Sequence, residues 1–126
     1  MLYRELYKKA VEAIPAAYAP FSKFKVGAAL LTKEGEIYTG VNVENASFGA
    51  AICAERTAFV KAVSEGCREF EAIAVVSSEG EVWPCGICRQ FMQEFCDGDF
   101  KIITGKDEDS LQVYTMEEMF PKGFRL

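Results

Sequence analysis

The chain has no histidine among its 126 residues. That absence removes the commonest general base, the commonest metal ligand and every Ser-His or Cys-His nucleophile pair. Any transition-metal site here must be built on sulfur and carboxylate. Also missing is a lysine- or arginine-rich run, and the formal charge is −5. A nucleic-acid binder needs a basic face to displace counterions from phosphate, so no nucleic-acid partner is expected. No stretch approaches the roughly 18 apolar residues of a membrane span, and Arg4, Glu5, Lys8 and Lys9 interrupt any apolar signal core near the start. No membrane partner is expected. Repeats, low-complexity tracts and linkers are absent, so residues 1–126 read as one domain.

Half of the residues are apolar and 13% are aromatic, enough for a core without disulfides. The five cysteines are an odd number with no secretory signal beside them. Free thiols in a reducing cytoplasm fit better than a disulfide framework.

Periodicity outlines the fold. Leu2/Tyr3, Leu6/Tyr7, Ala10/Val11 and Ala13/Ile14 form a helical stripe that Pro15 should kink or end. Phe24–Thr32 reads as a buried strand, 33–36 as a turn with Gly35 supplying the permissive backbone, and Ile37–Val43 as the returning strand. A helix is expected from about Ala51 to Glu65, stopped by Gly66. Ala72–Ser78 reads as a central strand, and Arg89–Cys96 as a helix burying Phe91, Met92 and Phe95. Phe100–Thr104 and Leu111–Thr115 are further strands, and Thr115 with Glu118 makes a capping box for a short helix ended by Pro121. The order suggests an α/β fold, a mixed sheet of about five strands covered by helices on both faces.

The chemistry concentrates in "CAER" (53–56) and "PCGIC" (84–88). Cys85 and Cys88 have the spacing that lets two sulfurs reach one tetrahedral ion, although a redox pair or coincidence produces the same spacing. Cys53 makes a third sulfur. Cys96 lies about 16 Å from Cys85 along the same helix, and Cys67 follows the far end of the Cys53 helix. Both read as small buried hydrophobes. Three ligands with one open position is the pattern of a catalytic rather than a structural zinc site. In a regular helix Cys53 and Glu55 would diverge by about 200°, so they share a site only if Cys53 precedes regular winding. Arg56 then returns near the sulfur and offsets part of the thiolate charge, helped by helix N-termini. A solvated Glu-Arg pair on a helix surface is the plainer alternative.

Together these segments resemble the small zinc-dependent cytidine deaminases. "CAE" followed by "PCGIC" is similar to the zinc-deaminase signature, with cysteine in place of its histidine variant. "AYAPFSKFKVGAALL" (17–31), "GVNVENASF" (40–48), "CAERTAFVKAVSEG" (53–66) and "PCGICRQFMQEF" (84–95) also resemble family segments. The resemblance implies a three-layer α-β-α fold and one Zn²⁺ per subunit on Cys53, Cys85 and Cys88. It implies hydrolytic deamination of cytidine and 2′-deoxycytidine in pyrimidine salvage. Hydroxide formed at the metal would attack carbon 4 of the base, with Glu55 as proton shuttle. Asn42 and Glu44 would hold the ribose, Phe24 would pack against the base, and the backbone at Ala54 would contact the pyrimidine edge. Phe124 would enter a neighbour's site, giving a homotetramer with shared active sites. Phe21 and Phe48 stand where tyrosine is frequent in the family. Two other readings compete: a deaminase of a nucleoside analogue such as blasticidin, and a non-catalytic zinc module closed by Glu55 itself.

Overall fold

The computed structural model describes residues 2–126. Five strands, β1 (Val26–Thr32), β2 (Ile37–Val41), β3 (Phe70–Ser77), β4 (Lys101–Gly105) and β5 (Leu111–Thr115), form one sheet in the order β2-β1-β3-β4-β5. All neighbours are antiparallel except β3 and β4. That parallel pair requires a crossover, and α3 (Gly86–Phe95) provides it. The remaining helices are α1 (Leu2–Ala13), α2 (Ala54–Ser64) and the short α4 (Met116–Met119).

Period-2 alternation along the central strands decides which helix lies where. Ala29 and Leu31 of β1, with Ala72, Ala74 and Val76 of β3, meet Leu6, Tyr7 and Ala10 of α1. The intervening Ala28, Leu30, Ile73 and Val75 face Ala54, Ala58, Phe59 and Ala62 of α2 and Met92 of α3. Both faces are therefore covered, which is why β1 and β3 read as nearly unbroken apolar runs. The expected three-layer α/β architecture is the one observed. On the α1 side the buried Tyr7 hydroxyl also donates to the Gly105 carbonyl (2.9 Å) at the end of β4.

Several boundaries differ from expectation. β1 starts at Val26 rather than Phe24, and β2 stops at Val41 rather than Val43, because residues 42–52 turn to build a site. The helix expected from Ala51 begins at Ala54, after a 3-10 turn at Phe48–Ala50 and an extended Cys53. The helix expected from Arg89 begins three residues earlier, at Gly86. α1 ends at Ala13 and Pro15 lies inside a following 3-10 turn, Ile14–Ala16. At the end of α2, Gly66 takes φ +98° and Cys67 N–H reaches back to the Ala62 carbonyl (3.0 Å), the left-handed stop expected of this glycine. Cys96 is buried as expected and its thiol is pushed up by burial. Cys67 is only half-buried, so the reading of it as a buried hydrophobe is corrected. The Thr115–Glu118 capping box is present in both directions.

One aromatic ring joins the two helices that matter most. Phe59 of α2 packs within 5.0 Å of Phe70, 6.1 Å of Phe91 and 6.3 Å of Phe95, the last two on α3. Phe59 is fully buried, so truncation leaves a void between α2 and α3. Phe59→Ala is expected to cost about 3–5 kcal/mol in urea unfolding monitored by circular dichroism.

Candidate active site

Two of the three sulfurs sit on helix-capping residues. Cys53 is the N-cap of α2 (φ −79°, ψ 158°), and Cys85 is the N-cap of α3 (φ −72°, ψ 172°). The Cys85 sulfur accepts from the backbone N–H of Cys88 (3.5 Å). The start of α3 thus turns an unpaired N–H toward the Cys85 sulfur, whereas the Cys53 side chain accepts no such bond from α2. Cys53, Cys85 and Cys88 gather with all sulfurs within 4.8 Å of one another, and Cys53 and Cys85 lie 3.7 Å apart. A tetrahedral ion with metal–sulfur bonds of about 2.3 Å holds its sulfurs about 3.8 Å apart, so the donor set fits Zn²⁺. No carboxylate joins this group among the described residues, which speaks against closure of the site by Glu55.

The charge balance follows from the neighbours. Arg56 donates through Nη2 to the Cys53 sulfur (3.7 Å), while its Nε is buried without a partner. The Cys53 thiol is held well below its usual range, first by the hydrogen bond from the Cys88 thiol and then by Arg56 and Cys85. The Cys88 thiol is pushed up, first by its hydrogen bond to Cys53 and then by burial. Glu55 is 4% exposed, and burial, with the Cys53 charge adding to it, pushes its carboxyl up to about 7. Cys53 and Glu55 share the site because Cys53 precedes regular winding.

Cys53, Cys85, Glu55 and Arg56 line a cavity of about 490 Å³. Phe24, Asn42, Glu44 and Ala54 line it too. Asn42 is partly committed elsewhere: its Oδ1 accepts from Val26 N–H and its Nδ2 donates to the Phe24 carbonyl, both at 2.8 Å. One lone pair and one N–H remain for a ligand. Glu44 likewise builds the loop before β1, its Oε1 accepting from Phe21 N–H (3.0 Å) and Ser22 N–H (3.1 Å), its Oε2 from the Ser22 hydroxyl. The Ser22 contact, above all, holds this carboxyl below its usual range. Phe48 lines the mouth and is 82% exposed. Phe124 does not line its own chain's cavity and is 64% exposed. Its segment is strapped along α3: Arg125 donates to the carbonyls of Gln93 and Cys96, both at 2.8 Å, and Gln90 donates to the Phe124 carbonyl (3.2 Å).

Ser22, Ile87 and Trp83 also line the cavity and were missed in the sequence. Trp83 had a signal, as a lone tryptophan directly before the Pro-Cys-x-x-Cys stretch.

A buried glutamate beside three converging sulfurs, inside a nucleoside-sized cavity of an α/β fold, defines a zinc-dependent hydrolytic enzyme. Residues 2–104 match the family described as "Cytidine and deoxycytidylate deaminase zinc-binding region", and the chain belongs to that family. A cytidine deaminase of Halalkalibacterium halodurans is 49% identical over 120 residues, covering 94% of this chain and 91% of the relative. A blasticidin-S deaminase of Bacillus cereus is 35% identical over 126 residues, covering 93% and 88%. The crystal structure of cytidine deaminase from Burkholderia pseudomallei superposes with a TM-score of 0.91 at 42% identity, covering 98% of this chain and all of that one.

α2 reaches this position because Gly40 of β2 has no side chain. A Cβ there would lie 2.5 Å from both the Ala54 carbonyl oxygen and the Ala58 nitrogen. Gly40→Ala is expected to displace the Cys53 end of α2, lowering zinc per chain by elemental analysis while the far-ultraviolet spectrum stays native.

Proposed function

We propose that this single-domain protein hydrolyses cytidine and 2′-deoxycytidine to uridine and 2′-deoxyuridine, releasing ammonia, in pyrimidine salvage. The observation that carries the reading is a buried glutamate two residues after a cysteine whose sulfur gathers with two others within 4.8 Å. When bound to Cys53, Cys85 and Cys88, zinc supplies a Lewis acid that lets a water molecule lose its proton near neutral pH. Glu55 takes that proton and delivers it to ring nitrogen 3 as the oxygen adds to carbon 4, then carries the remaining proton of the new C4–OH to the amine, which leaves as ammonia when the C4–N bond breaks. A carboxyl near 7 suits a group that must both accept and return a proton. Arg56 donates to Cys53 and tempers the thiolate charge. The remaining valences of Asn42 and Glu44 suit sugar hydroxyls, Phe24 offers a flat apolar face, and the N–H of Ala54 at the start of α2 suits the pyrimidine edge.

We extend the proposal to the assembly: a cytoplasmic homotetramer in which Phe124 completes a neighbour's site. Its support is the strapped but outward-facing Phe124, together with the family. No helix among the described residues is long and apolar enough to cross a membrane.

Glu55→Ala is expected to retain zinc and lose at least about 10³-fold in cytidine turnover, followed by ultraviolet absorbance. Turnover at the wild-type rate would remove Glu55 from the reaction. Assays on cytidine, deoxycytidine and blasticidin S in parallel separate the nucleoside reading from that suggested by the Bacillus cereus relative. Phe124→Ala, which leaves the Arg125 strap intact, should raise KM about threefold to tenfold with little change in melting temperature.

A further inference from the structure

The five residues 81–85 have no regular secondary structure, yet each end is tied to a different element. The Val82 N–H donates to the buried Thr104 hydroxyl of β4 (3.1 Å). Gln112 of β5 donates to Glu81 Oε1 (2.6 Å). The Pro84 carbonyl accepts from Arg89 Nε (2.8 Å), and the Nη1 of the same guanidinium donates to the Met119 carbonyl (2.9 Å). Held between these anchors is Trp83, the one tryptophan in the chain.

The indole is itself braced. Its Nε1–H donates to Glu81 Oε2 (3.1 Å), so a single carboxylate grips both Gln112 and Trp83. Tyr114 of β5 meets the ring edge-on, with centroids 5.2 Å apart and planes at 81°. With its only donor satisfied, the ring presents apolar surface to the cavity that also holds Cys53, Glu55 and Phe24. The proton transfers derived above give Trp83 no part. A fixed aromatic surface contributes to ligand affinity without a further ordering cost on binding.

We propose that Trp83 is a specificity-determining wall of the pyrimidine nucleoside pocket, touching the bound ligand through its indole face, with Glu81 and Tyr114 as the positioning residues that hold it. The inference rests on the deaminase reading above. It predicts a contact common to substrate and product, so it acts on affinity rather than on the barrier.

The test uses the zinc-loaded enzyme. Trp83 emission should change saturably as uridine is added. W83A should raise the KM for cytidine about tenfold with kcat within about threefold, whereas W83F should keep KM within about threefold. E81A should shift the emission and raise KM without lowering the melting temperature beyond a few degrees. Turnover by the wild type with emission indifferent to uridine, or with an unchanged KM in W83A, overturns the wall and leaves the deaminase reading standing. A fall in kcat with unchanged KM overturns it equally. If W83A does not fold, the wild-type emission titration decides alone. Absence of cytidine turnover by the zinc-loaded wild type overturns both readings.

Discussion

The structure depends on two helices beginning at the same point in space. An α-helix leaves its first N–H groups unpaired, and here the residues placed to face them are cysteines rather than the usual serine or aspartate. At α3 the Cys85 sulfur accepts one of these N–H groups, and at α2 the Cys53 sulfur stands at the cap position beside Arg56. A core ring, Phe59, locks the two helices side by side, so the distance between Cys53 and Cys85 is inherited from apolar packing. Sulfur chemistry at the surface is thus set by carbon packing beneath it.

Glu55 shows how one residue gains its character from that arrangement. It lies in the first turn of α2, where the dipole favours a carboxylate, yet burial and the Cys53 charge push it the other way. The outcome is a carboxyl held above its usual range. Arg56, one residue on, answers to the sulfur instead, because a hundred degrees of helix turn separate the two side chains.

The layering of helices on strands was legible because the order of apolar runs and helical stretches along the chain is local, and so was the triad of sulfurs. The starts of α2 and α3 were less so. Residues 51–53 and 86–88 contain nothing that forbids helix or demands it, and the starts at Ala54 and Gly86 depend on how the two helices pack. The double engagement of Asn42 with Phe24 and Val26 could not be read either, since it depends on how 42–52 fold back against β1. The bracing of Trp83 spans residues about thirty apart, through the placing of β5 beside β4, which no short motif encodes.

The last four residues lie along α3, gripped by side chains of that helix and by the guanidinium of Arg125 on its terminal carbonyls. A segment without regular structure is ordinarily free to sample many shapes, and docking it would sacrifice that freedom. Here the sacrifice is already made when the monomer folds. The Phe124 backbone is thereby a preset shape rather than a loose thread, so its ring projects from a defined position.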